Sequence, residues 1–329
     1  MGANDHPAMI LALAGGVGGA KLARGLADVL PADQLTIVVN TGDDFEHLGL
    51  HISPDLDTVM YTLAGINDSA RGWGIAGETW NFMQSLEALG GETWFKLGDR
   101  DLATHVERTR RLRAGESLSS VTEGLCAQLG IRHRVAPMSD EAVRTLVHTP
   151  EGVLSFQDYF VRLRCEPVVT GLEFAGASEA RMSEVLRSTL DSLSLTAVVI
   201  CPSNPYLSVA PILALPGMRA ALERRQVPVV AVSPIVAGKA LKGPAAKIMR
   251  ELGRQSSSLE VARFYRGLID ALVVDRADAA LSDAIRELGI QPAVTDTIMT
   301  EPSARIELAR FIIQLVAATA DASTAGSPA

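Results

Sequence analysis

The run from Met9 to Val39 constrains the fold more than any other stretch of the chain. Met9–Ala14 reads as a short apolar strand, and Gly15-Gly-Val-Gly-Gly19 as a glycine turn. Ala20–Leu30 has helical spacing and stops near Pro31, and Leu35–Val39 is a second apolar strand. Strand, turn, helix, strand predicts a βαβ unit, with parallel strands and a right-handed crossover. The turn gathers backbone N–H groups at a helix N-terminus, which suits a phosphate and equally suits close strand–helix packing. As a dinucleotide fingerprint it is incomplete, because Lys21 stands where the third glycine of GxGxxG belongs and no GK[ST] ending follows. The second strand ends in Asn40 rather than in a ribose-binding acid, which argues against a nicotinamide oxidoreductase.

Directly after that strand, four aspartates (Asp43, Asp44, Asp55, Asp57) fall within 15 residues. Like charges this close repel and raise one another's pKa, so a cation or a set of donors is expected to offset them. Ser53-Pro54-Asp55 opens a helix, with serine as a cap, proline in the first turn, and Asp55 and Asp57 near the positive end. The aspartates serve as caps and turn formers, or as a magnesium site completed by substrate phosphates, or one of them as a general base. Their residue types alone leave these roles open.

The rest of the chain returns to an α/β rhythm after a more helical middle. Helices are expected over Glu78–Leu89, Asp101–Arg113 and Ser117–Leu129, with Ser117 as a cap. β-like runs follow at Arg132–Val135, Arg144–His148, Val153–Phe156 and Tyr159–Leu163. Strands are expected at Leu195–Ile200, Val227–Val232 and Ala271–Val274. The fold class is α/β: a doubly wound, mostly parallel Rossmann-like sheet with a largely helical insertion. Residues 8–64 and 176–318 form the expected nucleotide- and metal-binding core, 65–175 the insertion, and 1–7 and 319–329 flexible ends. A chain of 329 residues with 47% hydrophobic content is long enough to bury such a core. A net charge of −8 argues against nonspecific nucleic-acid or acidic-membrane binding. Cys126, Cys165 and Cys201 form no CxxC pair, so disulfides and thiolate zinc are not expected, and a cytoplasmic protein is.

Further groups surround this core. Lys96-Leu-Gly-Asp-Arg-Asp101 and His105 place Lys96 and Arg100 where they would supply charge to the aspartates and a polyphosphate, or lie on a solvated surface. Pro202-Ser-Asn-Pro205 and Ser233-Pro-Ile-Val236 are loops at strand ends able to read a base or a phosphate, with Lys239, Lys242 and Lys247 following.

AGGVGGAKLARGL, NTGDD, GLHISPDLDTVMYTLAG, the KLGDRDLATH block, PSNPYLSVAPILALPGMR and SPIVAGKALKGPAAKIM together resemble the 2-phospho-L-lactate transferase family of coenzyme F-420 biosynthesis. The resemblance covers about residues 9–315. It implies a Mg²⁺-assisted enzyme, working as a homodimer, that takes a three-carbon acid (phospholactate, enolpyruvate phosphate or phosphoglycerate) activated by GMP. The acid phosphate moves to the ribityl hydroxyl of the deazaflavin Fo, and GMP leaves. By matched motif, Asp57 and Lys96 look like Fo-binding positions, with Trp73, Trp80 or Trp94 bordering the planar ring. Asp43 and Asp57 look like metal ligands, and Asp44 and Asp55 like catalytic acid–base groups. Gly16, Gly18, Gly19, Ser203, Asn204, Ser233 and Lys242 would hold the guanylyl half. Exchange of Asp57 for alanine is expected to remove activity and spare the fold. The competing reading is a non-catalytic nucleotide- or sugar-phosphate-binding regulator on the same fold.

Overall fold

The computed structural model describes residues 8–325. Its centre is a seven-stranded sheet made of β1 (Met9–Ala14), β2 (Leu35–Val39), β3 (Arg134–Pro137), β4 (Leu195–Ile200), β5 (Val229–Val232), β6 (Ala271–Asp275) and β7 (Gln291–Thr295). The order is β3-β2-β1-β4-β5-β6-β7, and every neighbouring pair is parallel. This is the doubly wound arrangement, in which the winding reverses between β1 and β4 and leaves a crevice beyond their carboxyl ends.

Both faces of the sheet are covered, which explains the near-continuous apolar strands. Along β1, Ile10, Ala12 and Ala14 enter one core with Leu26, Leu56 and Ile312. Leu11 and Leu13 enter the other, with Ile200, Leu213 and Leu272. The period of two thus assigns successive residues to opposite layers. Among the helices, α1 (Gly16–Val29) follows the glycine turn, and α2 (Pro54–Ala64) follows the aspartate loop. Next come α3 (Asn81–Ala88), α4 (Asp99–Arg113) and α5 (Leu118–Gln128), whose Ser117 cap accepts from Ser120 N as expected. The last helix, α6 (Pro302–Ala325), lies against α1.

Within the 65–175 stretch, residues 134–137 form the edge strand β3, paired to β2 from Thr36↔Arg134 to Val39↔Pro137. The stretch also carries a small antiparallel sheet of Gly152–Ser155, Arg144–Thr149 and Gly171–Ala175. Tyr159–Leu163, read as β-like from its apolar residues, falls instead in a π-helical turn, Asp158–Arg162, which buries Tyr159. Finally, α6 runs on to Ala325, into the tail expected to fray, while 1–7 and 326–329 lie outside the described residues.

Gly25 is where α1 and α6 meet most closely, because a Cβ there would overlap the carbonyl oxygen of Arg305. Gly25→Ala is therefore expected to destabilise the fold by roughly 1–3 kcal/mol through overpacking. Urea unfolding measures this, and an unchanged midpoint would mean that the two helices slide apart freely.

Candidate functional site

Four segments converge at the β1/β4 crevice. The Ser203 hydroxyl accepts from Gly15 N at 3.0 Å and donates to Gly15 O at 2.8 Å, tying the two strand ends together. Such an approach excludes side chains: a Cβ on Gly15 would lie 2.6 Å from Asp55 Oδ2, and one on Gly19 would fall against Ser203 Oγ. Gly16 sits in the left-handed region at φ +64°, and its N–H donates to Asp55 Oδ1 at 2.7 Å. The first anion at the α1 N-terminus is therefore a carboxylate of the chain itself. Asn40, at the end of β2, orders the acidic loop. Its Nδ2 donates to Asp55 Oδ2 at 3.0 Å and lies 3.3 Å from Asp43 Oδ1, while its Oδ1 accepts from Gly42 N at 2.9 Å.

Asp43, Asp44 and Asp55 are all buried here. Burial, then the charges of Asp55 and Asp44, push the Asp43 carboxyl well above the carboxylate range. Burial likewise lifts Asp55 to about 6, against the donors Asn40 and Gly16. Ser53, expected as a helix cap, instead donates its hydroxyl to Asp44 Oδ2 at 2.8 Å, and His51 Nε2 lies 3.1 Å from the same oxygen. The other oxygen, Asp44 Oδ1, is buried with no hydrogen-bond partner among the described residues. These carboxylates are hard oxygen donors of the kind Mg²⁺ takes, but as they stand the three do not bring ligand atoms within 4.8 Å of one another.

Asp57 belongs to a second cluster. Both of its oxygens face the guanidinium of Arg108, Oδ2 at 3.1 Å from NH1 and Oδ1 against NH2, and Arg108 is 1% exposed. Asp57, Asp101 and His105 bring ligand atoms within 4.8 Å of one another. The bidentate cation already satisfies Asp57, so this trio fits an ion-pair network better than a metal. Burial raises the Asp57 carboxyl, and Arg108 and His105 pull it back.

The nucleotide-binding candidates are divided. Asn204 Oδ1 accepts from Tyr206 N at 3.0 Å, and the Ser233 hydroxyl bonds N and O of Ile235, so both close their own loops, as Ser203 ties β4 to β1. Gly16, Gly18 and Gly19 line the first turn of α1, where a Cβ on Gly18 would overlap Pro202 O. Lys242 comes over this turn: its Nζ lies 2.9 Å from where a Gly72 Cβ would be, beside Val17. Lys21 donates to Met299 O at 2.8 Å, and burial, then Lys242 and Arg305, lower its pKa. A small group of cations therefore stands beside α1.

Lys96 does not join it. It lines an open cleft of about 570 Å³ with Arg71, Trp73, Trp80, Met83 and Thr93. Arg71 lies over both indoles, 5.7 Å from Trp73 and 5.0 Å from Trp80. Trp94 packs elsewhere, 5.0 Å from the His47 ring. Arg100, expected to offer charge to the aspartates, donates instead to Ala76 O at 2.6 Å.

With this geometry in hand, residues 10–312 match the family described as 2-phospho-L-lactate transferase CofD. The chain belongs to that family. A 2-phospho-L-lactate transferase of Methanosarcina mazei is 40% identical over 305 residues, covering 93% of this chain and 99% of the relative. A phosphoenolpyruvate transferase of Streptomyces griseus is 40% identical over 312 residues, covering 93% and 98%. In fold, the chain is similar to a solved upf0052 family protein of Bacillus halodurans, with TM-score 0.59 at 13% identity, covering 93% of this chain and 99% of that one. Among the described residues of this CofD-family transferase, no helix is long and apolar enough to cross a membrane.

Asn40, Lys21 and Arg108 carry much of this geometry; from sequence, Asn40 and Lys21 were read only as departures from a dinucleotide fingerprint, and Arg108 was not singled out. A signal for Arg108 exists: Asp101, His105 and Arg108 recur at spacings of four and three, which puts three polar groups on one helix face.

Two outcomes are expected. Asp57→Ala leaves Arg108 buried and unpaired, so it should cost roughly 3–5 kcal/mol of stability, contrary to the expectation that the fold is spared. An unchanged urea midpoint would refute this. A raised Asp43 pKa means that the folded state prefers the protonated acid, so this contribution to stability is full below the ordinary carboxylate pKa and is lost as pH rises through the raised value. Asp43→Asn should therefore gain several degrees in Tm over the parent at slightly alkaline pH and little at mildly acid pH. A pH-independent difference between the two would contradict the repulsion.

Proposed function

We propose that this protein transfers a phosphorylated three-carbon acid from its GMP-diphosphate form to the ribityl hydroxyl of the deazaflavin Fo, releasing GMP, in coenzyme F-420 biosynthesis. One observation carries the reading. Trp73 lines both the narrow cavity that holds Lys21 and Val17 at the α1 turn and the open cleft that holds Trp80 and Lys96. An anion-binding corner and a flat aromatic-walled cleft thus share a wall, which suits a phosphate donor meeting a planar acceptor. The names of the Methanosarcina and Streptomyces relatives support the donor class.

In this reading the planar ring lies against the Trp73–Trp80 pair, whose rings meet edge to face at 6.2 Å, with Lys96 at the rim and Asp57 towards the ribityl chain. Asp43 and Asp44 would hold Mg²⁺, with Asp57 left to Arg108. When bound, Mg²⁺ supplies positive charge to the diphosphate oxygens. Asp55, lifted to about 6, takes the proton from the attacking hydroxyl. The ribityl oxygen forms a bond to the acid-bearing phosphorus, and the bond from that phosphorus to the GMP oxygen breaks. Lys21 and Lys242 stabilise the charge that collects on GMP. Positioning and electrostatics suffice for such a transfer, so no covalent enzyme intermediate is invoked.

The test is turnover by purified protein with Fo, GTP, Mg²⁺ and a guanylyltransferase, offering phospholactate, phosphoenolpyruvate and 3-phosphoglycerate separately. A mass-shifted deazaflavin with one acid supports the reading and identifies the donor. No product with any of them, despite GDP binding, favours the regulator. Lys96→Ala is expected to weaken Fo binding about fivefold while GDP binding stays near the parent value, since a cation at an exposed aromatic rim contributes roughly 1 kcal/mol. Equal losses for both ligands would place Lys96 in general packing.

A further inference from the structure

The inner face of α4 is anchored at two places to parts of the proposed acceptor site. In its third turn, Arg108 grips Asp57 with both terminal nitrogens, and its Nε has no partner among the described residues. Arg108 NH1 also lies 3.3 Å from His105 Nδ1. On the other side of the ring, His105 Nε2 faces Asp101 Oδ1 at 3.3 Å without closing a hydrogen bond, while the Tyr61 hydroxyl donates to the same oxygen at 2.6 Å. Asp57 and Tyr61 of α2 therefore meet Asp101, His105 and Arg108 of α4 as two complementary polar stripes.

At its near end, α4 is fastened to the wall of the aromatic cleft. Glu78 accepts from Arg100 N at 2.8 Å and from Asp101 N at 2.9 Å, satisfying orphan donors of the first turn. In the reverse direction, Asp99 accepts from Asn81 N at 3.1 Å and Phe82 N at 3.0 Å at the start of α3. Glu78 and Phe82 bracket Trp80, which lines the cleft together with Met83. The cleft wall and Asp57 are thus held by the first and third turns of one helix.

We propose that α4 is a strut that couples occupancy of the aromatic cleft to the orientation of Asp57, with Glu78 and Arg108 as its positioning residues. An acceptor ring seated against Trp80 fixes the 78–82 segment. That segment holds the first turn of α4, and Arg108 on the same rigid helix holds the Asp57 carboxylate in a single orientation towards the acceptor's hydroxyl chain. The inference rests on the reading that the cleft and Asp57 serve one acceptor.

The experiment compares Arg108→Lys, Glu78→Gln and their double variant, using Fo and the guanylyl-activated acid. Arg108→Lys keeps a cation but lacks the fork, so kcat should fall about 30–100-fold through misplacement, while Kd for Fo, read by anisotropy of its fluorescence, stays within about threefold. Glu78→Gln leaves the buried pair intact and should lower kcat about tenfold. The double variant should lose less than the product of the two losses, because both act through one helix. Unchanged kcat in Arg108→Lys, or losses that simply multiply, overturns the strut. Should Arg108→Lys fail to fold, unchanged kcat in Glu78→Gln alone overturns it. Asp57→Asn separates this inference from the reading beneath it. Full turnover by that variant would refute the role of Asp57 itself, whereas an inactive Asp57→Asn beside a fully active Arg108→Lys refutes only the strut.

Discussion

The reciprocal hydrogen bonds between the Ser203 hydroxyl and the backbone of Gly15 are the interaction from which the rest of the site follows. They close the gap between β1 and β4, the two strands at which the sheet reverses its winding. With that gap closed, the start of α1 comes so near the loops after β2 and β4 that only glycine fits at Gly15 and Gly19. Asp55 then reaches Gly16 N, and Asn40 reaches Asp55. One hydroxyl thus determines how closely three loops approach and where the carboxylates stand. The glycine turn serves tight packing first, and any phosphate it holds comes to a corner already shaped by that packing.

The first turn of α2 divides its charge between two environments. Residues two apart on a helix point about 200° from one another. Asp55 accordingly faces the α1 turn, and Asp57 faces α4. The Asp57 charge has its cation at hand in Arg108, which makes that cluster electrostatically self-contained. The Asp43, Asp44 and Asp55 cluster is not: its partners are the neutral donors Asn40 and Ser53, and the Asp44 contact at His51 is charged only when the ring is protonated. Two acidic clusters on opposite sides of α2 therefore differ in kind. One is a buried ion pair, and the other gathers carboxylates whose hydrogen-bond donors are mostly neutral, with the more distant charge of Arg144 acting on Asp43.

The strands buried on both faces were legible because such strands are continuous apolar runs: Leu35–Val39 and Leu195–Ile200 were located residue for residue. The edges of the sheet were harder. β7 opens with Gln291-Pro292, is only partly buried and was not read as a strand, while β3, which begins at exposed Arg134, was read as a β-like run at Arg132–Val135, two residues too early. At the site, the aspartates were conspicuous because they are clustered in sequence. Their partners were not: Arg108 lies 51 residues from Asp57, and Ser203 lies 188 from Gly15. Side chains such as Ser203, Asn204 and Ser233 were read as ligand donors from loop composition, yet Asn204 and Ser233 bond within their own loops and Ser203 bonds the Gly15 backbone. A sequence shows which polar groups a loop contains, but the backbone groups waiting for them appear only once the chain is folded.

Uncompensated buried carboxylates are unfavourable in isolation, so their persistence needs a reason in the working molecule. Lys21 and Lys242 form a small cationic group beside α1, where burial first, and then the charges of Lys242 and Arg305, lower the Lys21 pKa. Under the proposed function the two groups would suit different parts of one ligand: the phosphates of the donor would relieve the lysines, and a divalent cation carried with them would relieve the aspartates. A ligand lacking either part would then relieve only one of the two groups.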